Sequence, residues 1–402
     1  MSQQRVYDVI LYGASGFVGR QTAAYFAKHG AGLRWALAGR NYDKLVAARR
    51  DAGPGAAQAG IVVADAADER ALMALAGDAR VVLSTAGPFA LYGSKLVAAC
   101  VAQRTHYVDI TGETPWVRGL IDRHHAQAAA EGTRIIPCCG FDSVPSDLGA
   151  WLLVRHFQAM DEACTGVKAC FSLRGGFNGG TLASALNTFD TGQATALADP
   201  WLLNPAGPRP PSGPDDLDPV APHRDADFKA WVGPFFMGPV NTRVVRRSAA
   251  LLGYGPDFHY QEYLRFGSGA GAALTAAVFS AGMSATQAAL KFAPVRALAR
   301  RLAPAPGEGP SEDSMNRGGF RCELVGHGAR GTVARAKVAA NGDPGNRATT
   351  AMVCEAALAL ARDTRRLPDS RRGGGVLTPA SGLGDALADR LREAGMTLAV
   401  QG

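Results

Sequence analysis

The chain has 402 residues, of which 47% are hydrophobic and 19% are charged, so it is long enough to bury two cores and too apolar to be a disordered chain. Its formal net charge of +7 comes from 42 basic and 35 acidic residues, and the basic residues are spread thinly along the chain. We therefore expect no nucleic-acid partner, whereas a phosphate-bearing cofactor or substrate would use the same positive field.

Seven cysteines are scattered through the chain without a Cys-x-x-Cys pair. This usage argues against a disulfide framework and against a metal site. The first residues, MSQQRVYDVILYG, lack a basic stretch followed by a long apolar run. These features predict a cytoplasmic protein that holds no metal.

The first 150 residues alternate short apolar runs with amphipathic stretches. This pattern is typical of a parallel sheet covered by helices on both faces. The predicted strands are 7–12, 34–38, 60–64, 81–85, 106–110 and 134–137. Right-handed crossovers between them predict an α/β fold with a doubly wound Rossmann sheet over residues 1–147.

A glycine-rich loop, YGASGFVGR, lies between the first predicted strand and the first predicted helix. In this context Gly13 allows a tight turn, Gly16 lets backbone N–H groups approach a pyrophosphate, and Gly19 lets the helix pack closely on the strand. The loop therefore predicts a dinucleotide site. The other residues assigned to it are Ala14, Ser15, Phe17 and Val18.

The end of the second predicted strand distinguishes between the two nicotinamide dinucleotides. Enzymes that bind NAD place an Asp or Glu there, whereas this chain has Gly39, Arg40 and Asn41. The planar guanidinium of Arg40 can pair with a 2'-phosphate, and Lys44 supplies a second cation one turn later. The pattern favours NADP(H), although an ordinary surface role for Arg40 stays open.

Later strand ends reach the same edge of the sheet and complete the predicted site. Asp65 is expected to bond the adenine edge, and the segment after the fourth strand is expected to pass beside the ribose and nicotinamide. That segment consists of Thr85, Ala86, Gly87 and Pro88.

Hydride transfer to a substrate needs a group that stabilises or protonates the developing anion. Tyr92, after the fourth strand, and Asp142, after the sixth, are the catalytic candidates. Phe89, Glu113 and Ser143 are the candidate substrate-binding residues at these strand ends, with helix capping as the alternative for Ser143.

After residue 147 the pattern changes to longer strand-like segments at 166–174, 235–245 and 320–340, which predict a second α+β domain over 148–347 with a largely antiparallel sheet. Thr181, in the segment RGGFNGGTLAS, is a candidate for binding a substrate phosphate or carboxylate at a helix start. Residues 199–223 are rich in Pro and predict a loop. Residues 348–402 are expected to form C-terminal helices and a strand that pack back on the sheets.

Residues 266–290 contain no charged side chain, and several basic residues follow at 291–301. The length is enough to span a bilayer, but the composition is mainly Ala, Gly, Ser and Thr. Three interpretations stay open: a buried or interfacial helix, peripheral attachment to lipid through the basic cluster, and a membrane span.

Six motifs occur in one order along the chain: YGASGFVGR, LAGRN, TAGPFALYGSKLVAAC, HYVDITGE, GFDSVPSDLG and GGVLTPASGLGDAL. Together they resemble the saccharopine dehydrogenase-like oxidoreductases, and within them the trans-acting enoyl reductases. The resemblance implies an NADP-binding Rossmann domain, a second α+β domain and reduction of a carbon–carbon double bond in an acyl chain from a polyketide or fatty-acid pathway. It implies an acyl or lipid-like substrate, free or carrier-bound.

Two other functions stay open. One is a lipid- or membrane-associated protein that keeps the dinucleotide fold without turnover, and the other is a saccharopine-type amino-acid dehydrogenase. The oligomeric state also stays open, with a homodimer as one alternative.

Overall fold

The computed structural model describes residues 5–175, 186–187, 189–190, 192–207, 213–302, 309–369 and 373–401. Two seven-stranded sheets organise these residues. Thr181 and nearly all of its glycine-rich segment lie outside the described residues, so the substrate role predicted there stays a prediction.

The first sheet is parallel and is built mainly from the amino-terminal part of the chain. Its first six strands are β1 (Tyr7–Tyr12), β2 (Trp35–Gly39), β3 (Gly60–Val63), β4 (Ala79–Ser84), β5 (His106–Asp109) and β6 (Arg134–Ile136). All six lie within two residues of the predicted bounds. The central strands β1 and β4 are apolar and buried almost throughout, as expected for a sheet that is covered on both faces.

Helices follow these strands, and the last of them packs against the second sheet instead of the first. They are α1 (Phe17–His29), α2 (Tyr42–Asp51), α3 (Glu69–Asp78), α4 (Phe89–Tyr92), α5 (Ser94–Ala102), α6 (Thr114–Glu131) and α7 (Val144–Ala159). The α/β fold with a doubly wound Rossmann sheet, predicted from the alternating pattern, is confirmed.

The second sheet is mixed but largely antiparallel, as predicted. The elements of this part are β7 (Cys164–Arg174), β8 (His223–Asp225), β9 (Ala230–Pro234), α8 (Gly238–Leu252), β10 (His259–Gly267), α9 (Ala270–Ala289), α10 (Ala293–Leu302), α11 (Glu312–Arg317), β11 (Gly319–Gly328) and β12 (Val333–Asn341). Among the strand pairs that the structure describes in this sheet, only that of β10 with β7 is parallel.

The carboxyl-terminal segment contributes to both sheets. It forms α12 (Thr349–Arg362), β13 (Gly375–Val376), α13 (Pro379–Glu393) and β14 (Thr397–Gln401). The strand order is β13-β6-β5-β4-β1-β2-β3 in the first sheet and β14-β12-β11-β7-β10-β9-β8 in the second. The buried carboxylate of Asp147 accepts hydrogen bonds from the Ser248 hydroxyl and from the Ala380 N–H, so it joins α7, α8 and α13.

The strand predicted over 235–245 is wrong, because most of this apolar run forms the start of α8. Pro239 lies in the first turn, where the missing N–H costs no helical hydrogen bond and the fixed φ angle favours the helix. Val244 and Val245 are buried. The sequence predicted a strand here because β-branched and aromatic residues are enriched in strands. A short apolar run does not by itself distinguish a strand from a buried helix.

Three buried arginines of α8 hold the first part of the predicted Pro-rich loop against the helix. Arg243 donates to the carbonyls of residues 197 and 199, Arg246 to that of residue 200, and Arg247 to that of residue 203. Arg246 also lies over the ring of Trp201, with 5.4 Å between the guanidinium carbon and the ring centroid. We call residues 197–203 the strap.

Across the described ranges, no single helix is long and apolar enough to cross a membrane; α9 and α10 reach that length only as a pair bent by 109°. In the same part of the chain, no group of three or more His, Cys, Asp or Glu side chains is arranged to hold a metal ion.

Candidate cofactor and substrate site

A cavity of about 3090 Å³ lies where the carboxyl ends of the first sheet's strands face the second sheet. One end is lined by the loops after β1, β2, β3 and β4. The other end is lined by β10, α8 and α9. The position matches the rule that ligands of open α/β sheets bind beyond the carboxyl ends of the strands.

The glycine-rich loop is shaped for close backbone approach. Gly13 has a φ of +84°, and a Cβ there would lie 2.9 Å from the Ala86 nitrogen. A Cβ on Gly19 would lie 2.2 Å from the Gly13 carbonyl oxygen. Helix α1 begins at Phe17, and its N-cap residue Gly16 offers no side chain to the first N–H groups. These N–H groups fit the pyrophosphate of a dinucleotide.

Two cations stand at the end of β2, where NAD-binding enzymes carry a carboxylate. Arg40 and Lys44 are exposed on the cavity wall. Within the described residues, neither side chain makes a hydrogen bond or an ion pair. The Asn41 side chain accepts from the Lys44 N–H at 2.9 Å, which starts α2 and holds both cations on one side of the loop. The residues present therefore fit a 2'-phosphate.

We expect Arg40→Ala to weaken NADPH binding by about 10- to 100-fold, because a charge-assisted contact to phosphate contributes roughly 1.5–3 kcal/mol. NADH binding should change little, since NADH has no group for Arg40 to pair with. Equilibrium titration of both cofactors measures the effect, with the exposed Arg70→Ala as the control. Equal losses for NADPH and NADH would contradict the assignment of Arg40 to the 2'-phosphate.

The remaining predicted cofactor residues line the same end of the cavity, across from Arg40 and Lys44. Asp65 accepts from the Ala67 N–H at 2.8 Å, which orients its carboxylate in the loop after β3. The Thr85 hydroxyl lies 3.3 Å from the carbonyl oxygens of Tyr12 and Gly13, so the segment 85–88 lies directly against the glycine-rich loop.

Glu113 has a structural role that its sequence position did not reveal. Its two carboxylate oxygens accept from the N–H groups of Phe89, at 2.7 Å, and Ala90, at 3.0 Å. These bonds satisfy the first N–H groups of α4 and fix that short helix at the wall. Glu113 thereby positions both Phe89 and Tyr92 beside the cavity.

Asp142 presents its carboxyl group to the cavity beside Gly112 and the start of α8. Burial raises the pKa of this carboxyl to about 6. Among the residues the structure describes, it has no hydrogen-bond or ion-pair partner. A carboxyl with these properties is able to hold and release a proton near neutral pH.

A second carboxyl on the wall, Glu262, was missed by sequence reasoning. Its Oε1 accepts from Asn241 at 2.8 Å, and its Oε2 accepts from the hydroxyls of Ser146, at 2.7 Å, and Tyr260, at 2.9 Å. Burial raises the pKa of Glu262 to about 8 in spite of these hydrogen bonds. Ser143 is buried behind this group, with its hydroxyl 3.4 Å from Asn241, and does not reach the wall.

The raised pKa of Glu262 predicts a pH-dependent stability. Between the ordinary value of 4.5 and about 8, the folded protein holds a proton that the unfolded chain releases, so the free energy of unfolding falls as pH rises across this window. Glu262→Gln, which mimics the protonated group, should flatten that fall. Melting temperatures of both proteins from pH 5 to pH 8 measure it. A parallel fall in both would show that Glu262 does not titrate in this window.

Eighteen predicted site residues share the cavity wall. They are Gly13, Ser15, Gly16, Phe17, Val18, Gly39, Arg40, Asn41, Lys44, Asp65, Thr85, Ala86, Gly87, Pro88, Phe89, Tyr92, Glu113 and Asp142. Ala14 and Gly19 lie beneath the loop, where Gly19 permits close packing on Ala14. The alternation of Tyr260, Glu262 and Leu264 along β10 is the signal that would have drawn attention to an inward carboxylate.

Comparison with known proteins places these features in a family. Residues 9–136 match the family model described as the saccharopine dehydrogenase NADP binding domain. The chain is 42% identical over 412 residues to Rv2449c of Mycobacterium tuberculosis, covering 98% of this chain and 97% of that protein. It is 39% identical over 422 residues to a Mycobacterium bovis protein named trans-acting enoyl reductase, covering 98% of each.

The fold also has a counterpart among solved structures. Saccharopine dehydrogenase (L-Glu forming) from Saccharomyces cerevisiae, in its apo histidine-tagged form, aligns with a TM-score of 0.55 and 14% identity over 98% of this chain and 99% of that one. At this identity the likeness shows the fold alone. The full-length relatives and the NADP-binding domain together establish that the chain belongs to the trans-acting enoyl reductase branch of the saccharopine dehydrogenase-like oxidoreductases and is an NADP-dependent oxidoreductase.

Proposed function

We propose that this protein reduces the carbon–carbon double bond of an enoyl acyl substrate. The observation that carries the proposal is the unpartnered carboxyl of Asp142 on the wall of a cavity with a dinucleotide loop at one end and an apolar lining at the other. Bound NADPH supplies the hydride. The chain's own residues then have to hold the acyl group, exclude water and deliver a proton.

The apolar end of the cavity suits an acyl chain. Its apolar side chains include Phe235, Phe236, Met237, Phe279 and Met283, which lie among charged side chains that are mostly ion-paired. Aromatic and thioether side chains contribute a wide, adaptable apolar surface and no charge. A lining of this kind binds a substrate by the apolar area removed from water.

Most of the cations at this end are paired with carboxylates, which supports an acyl substrate over an amino acid with several carboxylates such as saccharopine. Four of them have carboxylate partners: Lys168 with Asp225 and Asp227, Arg243 with Asp218, Arg265 with Glu323, and Arg296 with Asp190. Lys291, at the outer part of the wall, has no ion-pair partner among the described residues. A substrate with several carboxylates would meet few unpaired charges here.

We assign Asp142 as the group that donates the proton. As the double bond is reduced, negative charge develops on the α carbon and the acyl oxygen, and a protonated carboxyl stabilises it by transferring its proton to the α carbon. Tyr92 is the second candidate as a donor to the acyl oxygen. Its side chain is 45% exposed, so water competes for its hydroxyl. This exposure favours Asp142 for the proton transfer.

The test is NADPH oxidation by the purified protein with enoyl thioesters of increasing chain length, presented on coenzyme A and on an acyl carrier protein. We expect loss of nicotinamide absorbance together with a saturated product by mass spectrometry, and faster turnover with longer chains. Saturated thioesters and saccharopine serve as controls. NADPH binding without oxidation by any enoyl thioester would overturn the proposal and favour a dinucleotide-fold protein without turnover.

A further inference from the structure

Helices α9 and α10 expose an apolar surface. Leu274 and Val278, one turn apart on α9, are 69% and 65% exposed. Phe292, in the bend, is 65% exposed, and Leu298 of α10 is 56% exposed. With Val295, these account for five of the fourteen large hydrophobic side chains that are exposed in the described part of the chain. Exposed large apolar side chains concentrated on two consecutive helices favour an interaction surface. We call the five residues the apolar patch.

The opposite side of α9 faces the protein. Ala276 and Ser280 are buried on the inner face of α9, which contacts β9 and β10. Phe279 packs against Phe266 with 5.3 Å between ring centroids. Phe279 and Met283 also line the cavity. Helix α9 therefore carries cavity-lining side chains on one face and side chains of the apolar patch on another.

The charged side chains of the segment that carries the patch are all basic. Residues 263–307 contain five basic side chains and no Asp or Glu. Four of the five, at Lys291, Arg296, Arg300 and Arg301, lie at the bend or on α10. Asp190 neutralises part of this charge through Arg296 and Arg300. Lys291 and Arg301 are exposed and have no ion-pair partner within the described residues.

We propose that α9 and α10 dock on an anionic lipid bilayer, with the apolar patch in the interfacial layer and the basic side chains at the headgroups. An apolar helix face bordered by Lys and Arg is the arrangement that binds such a surface. The α9 face formed by Leu274, Val278, Ala281 and Ala285 offers no side-chain hydrogen-bond donor or acceptor. A protein partner would need such groups for specific recognition, whereas a bilayer does not.

Docking in this orientation brings the apolar end of the cavity next to the membrane. A long acyl chain would pass from lipid into the cavity past Phe279 and Met283 without crossing water. This delivery role rests on the proposed function, whereas docking itself does not. The experiment therefore measures membrane binding without substrate, so failure to dock and failure to reduce enoyl substrates are distinguishable.

The experiment is flotation of the purified protein with vesicles of phosphatidylcholine, with and without phosphatidylglycerol. We expect at least tenfold stronger binding to the vesicles that contain phosphatidylglycerol, and weaker binding at high salt. The double variant Val278→Asp with Leu298→Asp should reduce this binding by tenfold or more. Val333→Asp, which changes a 51% exposed residue on the distant strand β12, should bind like the parent protein.

Circular dichroism and NADPH titration verify that the double variant folds and keeps its cofactor site. The proposal is overturned if the parent protein does not float with anionic vesicles, or if the double variant floats as well as the parent. It is also overturned if light scattering shows that the parent is a dimer which the double variant dissociates, because a second copy would then cover the patch.

Discussion

Asp142→Asn is expected to lower kcat for the proposed enoyl reduction by about 100-fold or more, the usual contribution of a positioned general acid. The amide keeps the shape of the carboxyl group but has no acidic proton to give. NADPH binding should stay within about threefold, because the glycine-rich loop and Arg40 lie at the other end of the cavity. Steady-state kinetics together with cofactor titration measure both effects.

The pH profile provides a second readout for the same group. Burial raises the pKa of Asp142 to about 6, so the protonated form that donates is the major one only below that pH. For the parent enzyme kcat/KM should therefore fall as pH rises through about 6. The Asn variant should lack this limb. A merely structural role for Asp142 would lower activity at every pH without removing the limb.

Tyr92→Phe is the matched variant for the alternative donor. The change removes only the hydroxyl of a half-exposed side chain, so we expect a smaller loss of kcat than in Asp142→Asn and an unchanged pH limb. If instead the Phe variant loses about 100-fold in kcat and the Asn variant retains its activity, the proton is donated by Tyr92.

The amino-terminal half of the fold was predictable because its signals are local. Each buried parallel strand is a continuous apolar run, and each run ends at a turn or helix start that the sequence marks. The glycine-rich loop and the Arg40 position lie within 30 residues of each other in the chain. Reading them needed no knowledge of long-range contacts.

The second half was less predictable because its elements depend on distant partners. Strands β8 and β9 have three and five residues, and pairing with distant strands fixes them: β9 pairs with β10, and β8 pairs with β9. The local signals of α8, Pro239 in its first turn and Gly253 at its C-cap, were outweighed by a Val-rich start that resembles a strand. Glu262 and Asn241 meet only after β10 and α8 pack together, so their hydrogen bond was invisible in the sequence.

The role of Glu113 shows a different limit of prediction from the sequence. The sequence put this residue at the end of the fifth predicted strand, and in the structure it follows β5 as the N-cap residue of α6. The sequence could not show that both of its carboxylate oxygens accept hydrogen bonds from the first N–H groups of α4. A residue at a ligand-binding edge either contacts the ligand or supports one that does, and the two roles use the same residue types. Only the packed structure distinguishes them.

Arg247→Ala should destabilise the protein by about 2–4 kcal/mol, because it removes the guanidinium that donates to two buried carbonyl groups and opens a cavity. The Arg247 guanidinium donates to the carbonyls of Leu203, in the strap, and Val376, in β13. It also contacts His125 of α6 at 3.3 Å. One side chain thus joins α8 to the strap, to α6 and to the edge of the first sheet.

Chemical denaturation measures the loss, with the exposed Arg224→Ala as the control. Arg247→Lys should recover only part of the stability, since a single ammonium cannot reproduce the planar, forked geometry that reaches two carbonyls on different elements. A loss below about 1 kcal/mol for the Ala variant would mean that water replaces the guanidinium at both carbonyls. Val376 pairs with Ile135 of β6, so the expected destabilisation should extend to the first sheet. Both sheets should then unfold together, at a lower temperature than in the parent protein.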